Sequence, residues 1–439
     1  MKVFIFILLI AELINSQTNI EFISNLNQHR TSGYNDIWGY VDPSGNEYAL
    51  LGVGNGTSII NLADPSNPIE VAFIPATQTI WRDIKVHDQY AYVVSDGASD
   101  GLQIIDLTQL PNSATLANQT LNFFSRAHNI FIEDGYAYAV GTEGGGGMHI
   151  LDLSNPINPT ETAYYTASGY IHDLVVWNDT AIVCAGSSGS YHLVDVTDKS
   201  NPQFINASAA IPGIYAHSGW ISEDKRYFFA TEEFDQTDLM VWDLKDRSSW
   251  DLVVPSWQMN SNATIHNLFI LGNYAHISYY VDGYVVLDIS NPTDPVLAGQ
   301  YDTYDGLDGP FKGAWGVFPY FPSGYTIISD IETGLYVLKF DAPSSVDDDY
   351  LPLSFRLFQN YPNPFNPSTQ IDFSIANVEF VNLSVYNSLG EKVTELVNEY
   401  KPAGSYSVVF DAPEISSGIY IAELIAGDFR QTVKMVLLK

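Results

Sequence analysis

Short apolar runs recur along most of the chain, separated by Gly, Pro, Asn and Asp, and one of them returns as near-copies of itself. These copies read IINLADPSNP from Ile59, IIDLTQLPN from Ile104, ILDLSNPINP from Ile150, LVDVTDKSNP from Leu193, VWDL from Val241, VLDISNPTDP from Val286 and VLKFDAP from Val337. The central residues are Asn61, Asp106, Asp152, Asp195, Asp243, Asp288 and Lys339, so the copies lie 45, 46, 43, 48, 45 and 51 residues apart. Around each stands the same order: a first strand, a tight turn, a second strand, a Gly-rich turn, the signature strand, an Asn-Pro corner and a fourth strand. The second copy shows it as DIKVHDQ, YAYVVSD, GLQIIDL and ATLANQTLNFF. One four-stranded sheet per copy at this period predicts a seven-bladed β-propeller.

The seventh copy has GVFPY, YTIISD and LYVLKF but continues into the Pro-rich, acidic APSSVDDDYLP. Its fourth strand is expected from the N-terminus, because NIEFISNLN from Asn19 reads like PIEVAFIPA from Pro68 in the first copy. Pairing the first and last segments closes the ring and removes two sheet edges. After Leu351 the rhythm changes. QIDFSI, VNLSVYNSLG, EKVTELV, GSYSVVFDA, GIYIAELIAG and RQTVKMVLLK alternate at period two with frequent turns, which predicts a small β-sandwich. The expected class is therefore all-β: a propeller closed by an N-terminal strand, followed by a C-terminal sandwich.

The first 16 residues carry Lys2, an apolar run from Val3 to Ile10, and Ser16 before Gln17, which reads as a secretory signal peptide. It is too short for a membrane anchor, and the mature chain is expected to have no transmembrane segment. The expected division is a signal peptide at 1–16, the propeller at 17–343, an acidic linker at 344–354 and the sandwich at 355–439. The single cysteine, Cys184, lies in the strand-like TAIVCAG and reads as a buried, inert thiol. With 51 acidic and 18 basic side chains the formal net charge is −33, which disfavours nucleic acid and anionic membranes and leaves cations as plausible ligands.

Two resemblances add to this. The run FRLFQNYPNPFNPST from Phe355, with VYNSLGEKV from Val385, AGSY from Ala403, FDA from Phe410, SSGIY from Ser416 and the terminal TVKMVLLK, resembles the C-terminal sorting domain of the type IX secretion system. It implies a partnership with that machinery and a protein secreted or held at the outer surface of a Bacteroidota-like bacterium. The sorting motif is Asn360, Tyr361, Pro362, Asn363, Pro364, Phe365, Asn366 and Pro367. Its prolines fix backbone angles and remove donors, so the run is expected to be an extended lead-in and not an internal strand. The repeats, in turn, resemble the LVIVD repeat, and residues 30–343 as a whole resemble the choice-of-anchor B family, in which a shared propeller is joined to differing C-terminal anchors.

Counting back to the start of each first strand places Asn35, Arg82, His128, His172, His217, His266 and Trp315 in one column. Four of the nine histidines thus share one position, expected at the mouth of the central channel. The turns between second and third strands lie at the same end and begin with Asp96, Glu143, Glu232 and Asp330. Two readings of the column stand. Each His either donates a ring proton to a neighbouring carbonyl or polar side chain and pins one sheet to the next, or His128, His172, His217 and His266 join Glu143 or Glu232 to hold a divalent metal. Arg82, the four histidines and Trp315 are the candidate ligand-binding residues. Tyr279, Tyr280, Trp38 and Trp315 are candidate exposed platforms for sugar rings. TYDGLDGP, with Asp302, Asp305 and Asp308, lacks the order of a recognised calcium loop. GASDG from Gly97 matches GxSxG in letters but falls in a Gly-rich turn between two strands with no helix to follow, so it is no nucleophile elbow; there is no HExxH helix and no evident partner for the lone Cys. The expected role is a surface or secreted module binding a glycan, peptide or protein; the alternative is a metal-dependent hydrolase or lyase at the channel mouth.

Overall fold

A computed structural model describes residues 19–342, except 98, 235–236, 246, 260–262, 307–308 and 310, and residues 356–357, 360, 363–375, 379–401, 404–413, 415–427 and 429–438. The predicted signal peptide and the acidic linker lie outside the described residues. The described elements are all strands, and the chain divides into two units, Met1–Pro343 and Ser344–Lys439.

In the first unit, the described residues form seven four-stranded antiparallel sheets in a propeller-like arrangement. Their first strands are Tyr34–Val41, Trp81–His87, Asn129–Glu133, Asp173–Trp177, Ala216–Ile221, Asn267–Leu271 and Ala314–Phe318. These strands touch one another in order, and the last also touches the first, so they encircle a channel. An apolar core lies between each pair of neighbouring sheets. Leu50, Ile59, Ile84 and Val93 fill the gap between sheets 1 and 2, and Leu51, Ile60, Ile327 and Val337 fill the gap between sheets 1 and 7. Leu50 and Leu51 are adjacent, so consecutive residues of one strand enter opposite cores. This is why the strands read as continuous apolar runs: both sheet faces are buried.

The N-terminal strand takes the fourth place in the last sheet, as the sequence pattern predicts. Ile20–Leu26 runs antiparallel to Gly334–Phe340, from Ile20 opposite Phe340 to Leu26 opposite Leu335. It also reaches both neighbouring sheets: Asn19 donates to the Ala298 carbonyl (2.7 Å) and Ser24 to the Pro65 carbonyl (2.6 Å). The signature residues close the corner after the third strand. Asp106, Asp152, Asp195 and Asp288 each accept the backbone N–H two residues on, at 2.7 to 2.9 Å, and Asn61 does the same toward Ala63. In six sheets the fourth strand carries a bulge opposite the same part of the third.

The second unit packs a three-stranded sheet and a four-stranded sheet around Ile371, Phe373, Leu383, Val385, Leu424 and Met435. Of the sorting motif, Tyr361 and Pro362 lie outside the described residues. The described remainder is not the expected extended lead-in: it bends at Asn363, Pro364, Asn366 and Pro367, because its polar groups are tied to the sheets, Asn360 donating to the Thr369 hydroxyl, and Asn363 donating to the Lys434 carbonyl and accepting from the Val436 N–H. Phe365 is buried and bridges Leu437 in parallel.

Candidate binding site at the channel mouth

Seen down the channel, the first strands stack three layers of side chains. At the mouth are His128, His172, His217, His266 and Trp315; below them lie Asp36, Asp83, Asn129, Asp173 and Asn267. The deepest layer is aromatic. Trp38 packs on Phe269 and Phe318, Trp220 on Phe269 and Phe131, and the Lys85 ammonium sits 4.6 Å from the centre of the Trp38 ring. These rings close the floor.

The middle layer stitches sheets together. Asp36 accepts the Ile84 N–H of the next sheet, and Asp83 accepts the Ile130 N–H of the one after (2.6 Å). Lys85 donates to Asp83 at 2.5 Å and lies 3.8 Å from Asp36. Burial and the nearby Asp83 push the Asp36 carboxyl well above the usual range, and the Lys85 ammonium lies beside both buried carboxyl groups.

The mouth layer is a continuous row of rings. Centroids are 4.1 Å apart for His128 and His172, 4.5 Å for His172 and His217, 4.9 Å for His217 and His266, and 4.3 Å for His266 and Trp315. One nitrogen of each imidazole is committed. His172 Nδ1 meets the His217 carbonyl at 2.9 Å and His266 Nδ1 meets the Trp315 carbonyl at 2.6 Å; a carbonyl only accepts, so both nitrogens carry the proton. The Thr231 hydroxyl donates to the His266 carbonyl, so its oxygen is left to accept from His217 Nδ1 at 3.3 Å. His128 Nδ1 donates to Asp96 at 3.1 Å. In a neutral imidazole whose Nδ1 is protonated, Nε2 keeps its lone pair.

Burial keeps the rings of His172, His217 and His266 uncharged. It drives His172 well below the ordinary imidazole range, with His128 and His217 adding repulsion, and brings His217 and His266 down to about 3.

The other column members and turn acids are placed differently. The Arg82 guanidinium turns away to the Val53 and Thr77 carbonyls and lies 3.6 Å from Asp100. Asn35 is buried with no hydrogen bond at its amide. Glu143 accepts the N–H groups of Ser125 and Arg126, and Glu232 those of Tyr215 and Phe234, so both carboxylates cap loops. The acid beside His217 is instead Glu233, whose Oε2 stands 3.5 Å from His217 Nε2. Glu233 Oε1 accepts from the Tyr280 hydroxyl at 2.6 Å.

The proposed aromatic platforms need correction. Tyr279, Tyr280 and Trp315 are buried, Tyr279 through its bond to Asp238, and Trp38 belongs to the floor. The rings that do reach solvent around the mouth are Trp81, Tyr170, Phe234 and Phe311, each at least 40% exposed. Tyr170 adjoins His172, Phe234 reaches it through Tyr215, and Phe311 reaches His266 through Tyr280. Of the acidic loop, Asp308 lies outside the described residues. Cys184 is buried and its thiol is pushed well above its usual range by that burial.

Comparison with known proteins accounts for both units. The model of the LVIVD repeat matches residues 81–114, 126–167 and 265–303, and that of the secretion system C-terminal sorting domain matches 359–438. The chain carries LVIVD repeats and a type IX sorting domain. That domain marks it for export to the cell surface or for secretion. No curated protein matches. Among solved structures, a protein from Lactobacillus plantarum shares the fold, with a TM-score of 0.52 and 10% identity over 81% of this chain and 96% of that one. PorZ of Porphyromonas gingivalis, an essential surface component of the type IX secretion system, gives 0.48 and 10% over 92% of this chain, which spans only 60% of PorZ. A functionally unknown protein from Desulfotomaculum acetoxidans gives 0.46 and 14% over 61% and 84%. Among the described residues no helix is long and apolar enough to cross a membrane.

Proposed function

We propose that this exported LVIVD-repeat protein is a binding module that takes an extracellular ligand on the aromatic rim of its channel mouth. The observation that carries this reading is the set of exposed rings, Trp81, Tyr170, Phe234 and Phe311, around a recess lined with imidazoles. The recess has a volume of only about 30 Å³, room for an ion or a water or two, so an organic ligand rests on the rim and does not enter. Flat aromatic faces suit the apolar faces of sugar rings or the side chains of a peptide. The formal net charge of −33 argues against a polyanion.

The test is binding of the mature chain to a panel of surface polysaccharides and peptides, compared with a variant carrying Trp81→Ala, Tyr170→Ala, Phe234→Ala and Phe311→Ala. Each lost ring contact is worth roughly 0.5–1.5 kcal/mol, so the variant should bind at least about tenfold more weakly with an unchanged melting temperature. Equal binding by both proteins would reject the rim as the site.

A further inference from the structure

We propose that the recess at the channel mouth is a metal site in which Nε2 of His172, Nε2 of His217 and the carboxylate of Glu233 hold one late first-row divalent cation such as Zn²⁺. This goes beyond the rim reading and does not depend on it, since an ion and a rim ligand occupy different places.

Four observations support the site. First, one ligand atom from each of His172, His217 and Glu233 lies within 4.8 Å of the others. Donors on a tetrahedral zinc stand about 3.4 Å apart, so loading draws the group together by up to roughly 1.4 Å, which rotation of the Glu233 and imidazole side chains would have to supply. Second, the imidazoles are already in ligand form. His172 Nδ1 is fixed on the His217 carbonyl and His217 Nδ1 on the Thr231 hydroxyl, which orients both rings and leaves Nε2 as the free lone pair. A ligating His has the same arrangement, its other nitrogen donating to a backbone or side-chain acceptor.

Third, Glu233 is a nearly buried carboxylate, 10% exposed at its side chain, and among the described residues no Lys or Arg forms an ion pair with it. A charge so placed calls for a counterion. The Tyr280 hydroxyl holds one of its oxygens and leaves the other turned to His217. Tyr280 itself has a left-handed backbone, with φ of 30°, locked by N–H donors from Gly283 and Ala314 to its carbonyl. That conformation is costly for a tyrosine, and it occurs at the residue whose hydroxyl holds Glu233. Fourth, the recess that His172 and His217 line has room for an ion or a water or two. Two imidazoles and one carboxylate match the preference of zinc and its neighbours for mixed N and O donors, with a further position open to water.

The experiment uses the full mature chain without a polyhistidine tag, stripped with a chelator and titrated with Zn²⁺ by calorimetry, with bound metal counted by mass spectrometry. One equivalent per chain is expected. The pair His172→Ala and His217→Ala should lose it, and Glu233→Gln should weaken it by about tenfold or more. His276→Gln, which alters a buried histidine outside the mouth, should keep the full equivalent. The fourfold rim variant should also keep it, which separates failure of this site from failure of the rim. If the double variant does not fold, Glu233→Gln decides alone, because its amide still accepts from Tyr280. No stoichiometric zinc in the wild type, a full equivalent in a folded double variant, or unchanged affinity in Glu233→Gln would each overturn the proposal.

Discussion

A buried carboxyl group at the end of a first strand shows how one residue can make stability depend on pH. Glu133 ends the first strand of sheet 3, and burial, followed by repulsion from Asp134 and Asp179, raises its pKa from 4.5 to about 7. The folded chain therefore holds a proton there that the unfolded chain releases at lower pH. Stability from this group is fully present below about 4.5 and is lost as the pH rises through 7. Glu133→Gln should match the wild type in melting temperature at pH 4.5 and exceed it at pH 8. A gap between the two proteins that does not change with pH would show that Glu133 titrates as it does in the unfolded chain.

At the scale of elements, the strand Ile20–Leu26 is the one whose removal should matter most for its length. It supplies the fourth strand of the last sheet and also bonds to the two neighbouring sheets. Deleting Asn19 to Asn27 should expose the edge of Gly334–Phe340 and lower the melting temperature by at least about 5 °C, the effect of losing a few kcal/mol in a domain of this size. An unchanged melting temperature would contradict closure through this strand. That pairing was readable in the sequence because NIEFISNLN repeats the pattern of a fourth strand where one was missing. The histidine column was readable for a related reason: the signature fixes the register of the third strand, and counting back through two antiparallel partners reaches the start of the first. The reading failed where it depended on one residue of register. Glu232 and Glu233 are adjacent at the end of a strand, and a slip of one position exchanges a loop cap for a channel acid. It failed again for aromatic exposure, because Tyr280 packs on Trp315 of the next sheet and Trp315 on His266 and Tyr280 of the sheet before, and sequence spacing within one repeat carries no information about that cover.

For the whole molecule, the ring of sheets is what turns four scattered histidines into one surface. No imidazole at the mouth is oriented by its own first strand alone: His172 is held by the carbonyl of His217 in the next sheet, His266 by that of Trp315, and His128 by Asp96 in the sheet before. The sorting unit folds around a core of its own and marks the chain for export to the cell surface or for secretion. The most direct measurement is the protonation of the individual ring nitrogens, read by NMR on the metal-stripped mature chain with ¹⁵N-labelled histidine at pH 7. This account predicts that His172, His217 and His266 are neutral, protonated at Nδ1 and bare at Nε2. Imidazolium signals, or protons on Nε2, would contradict it.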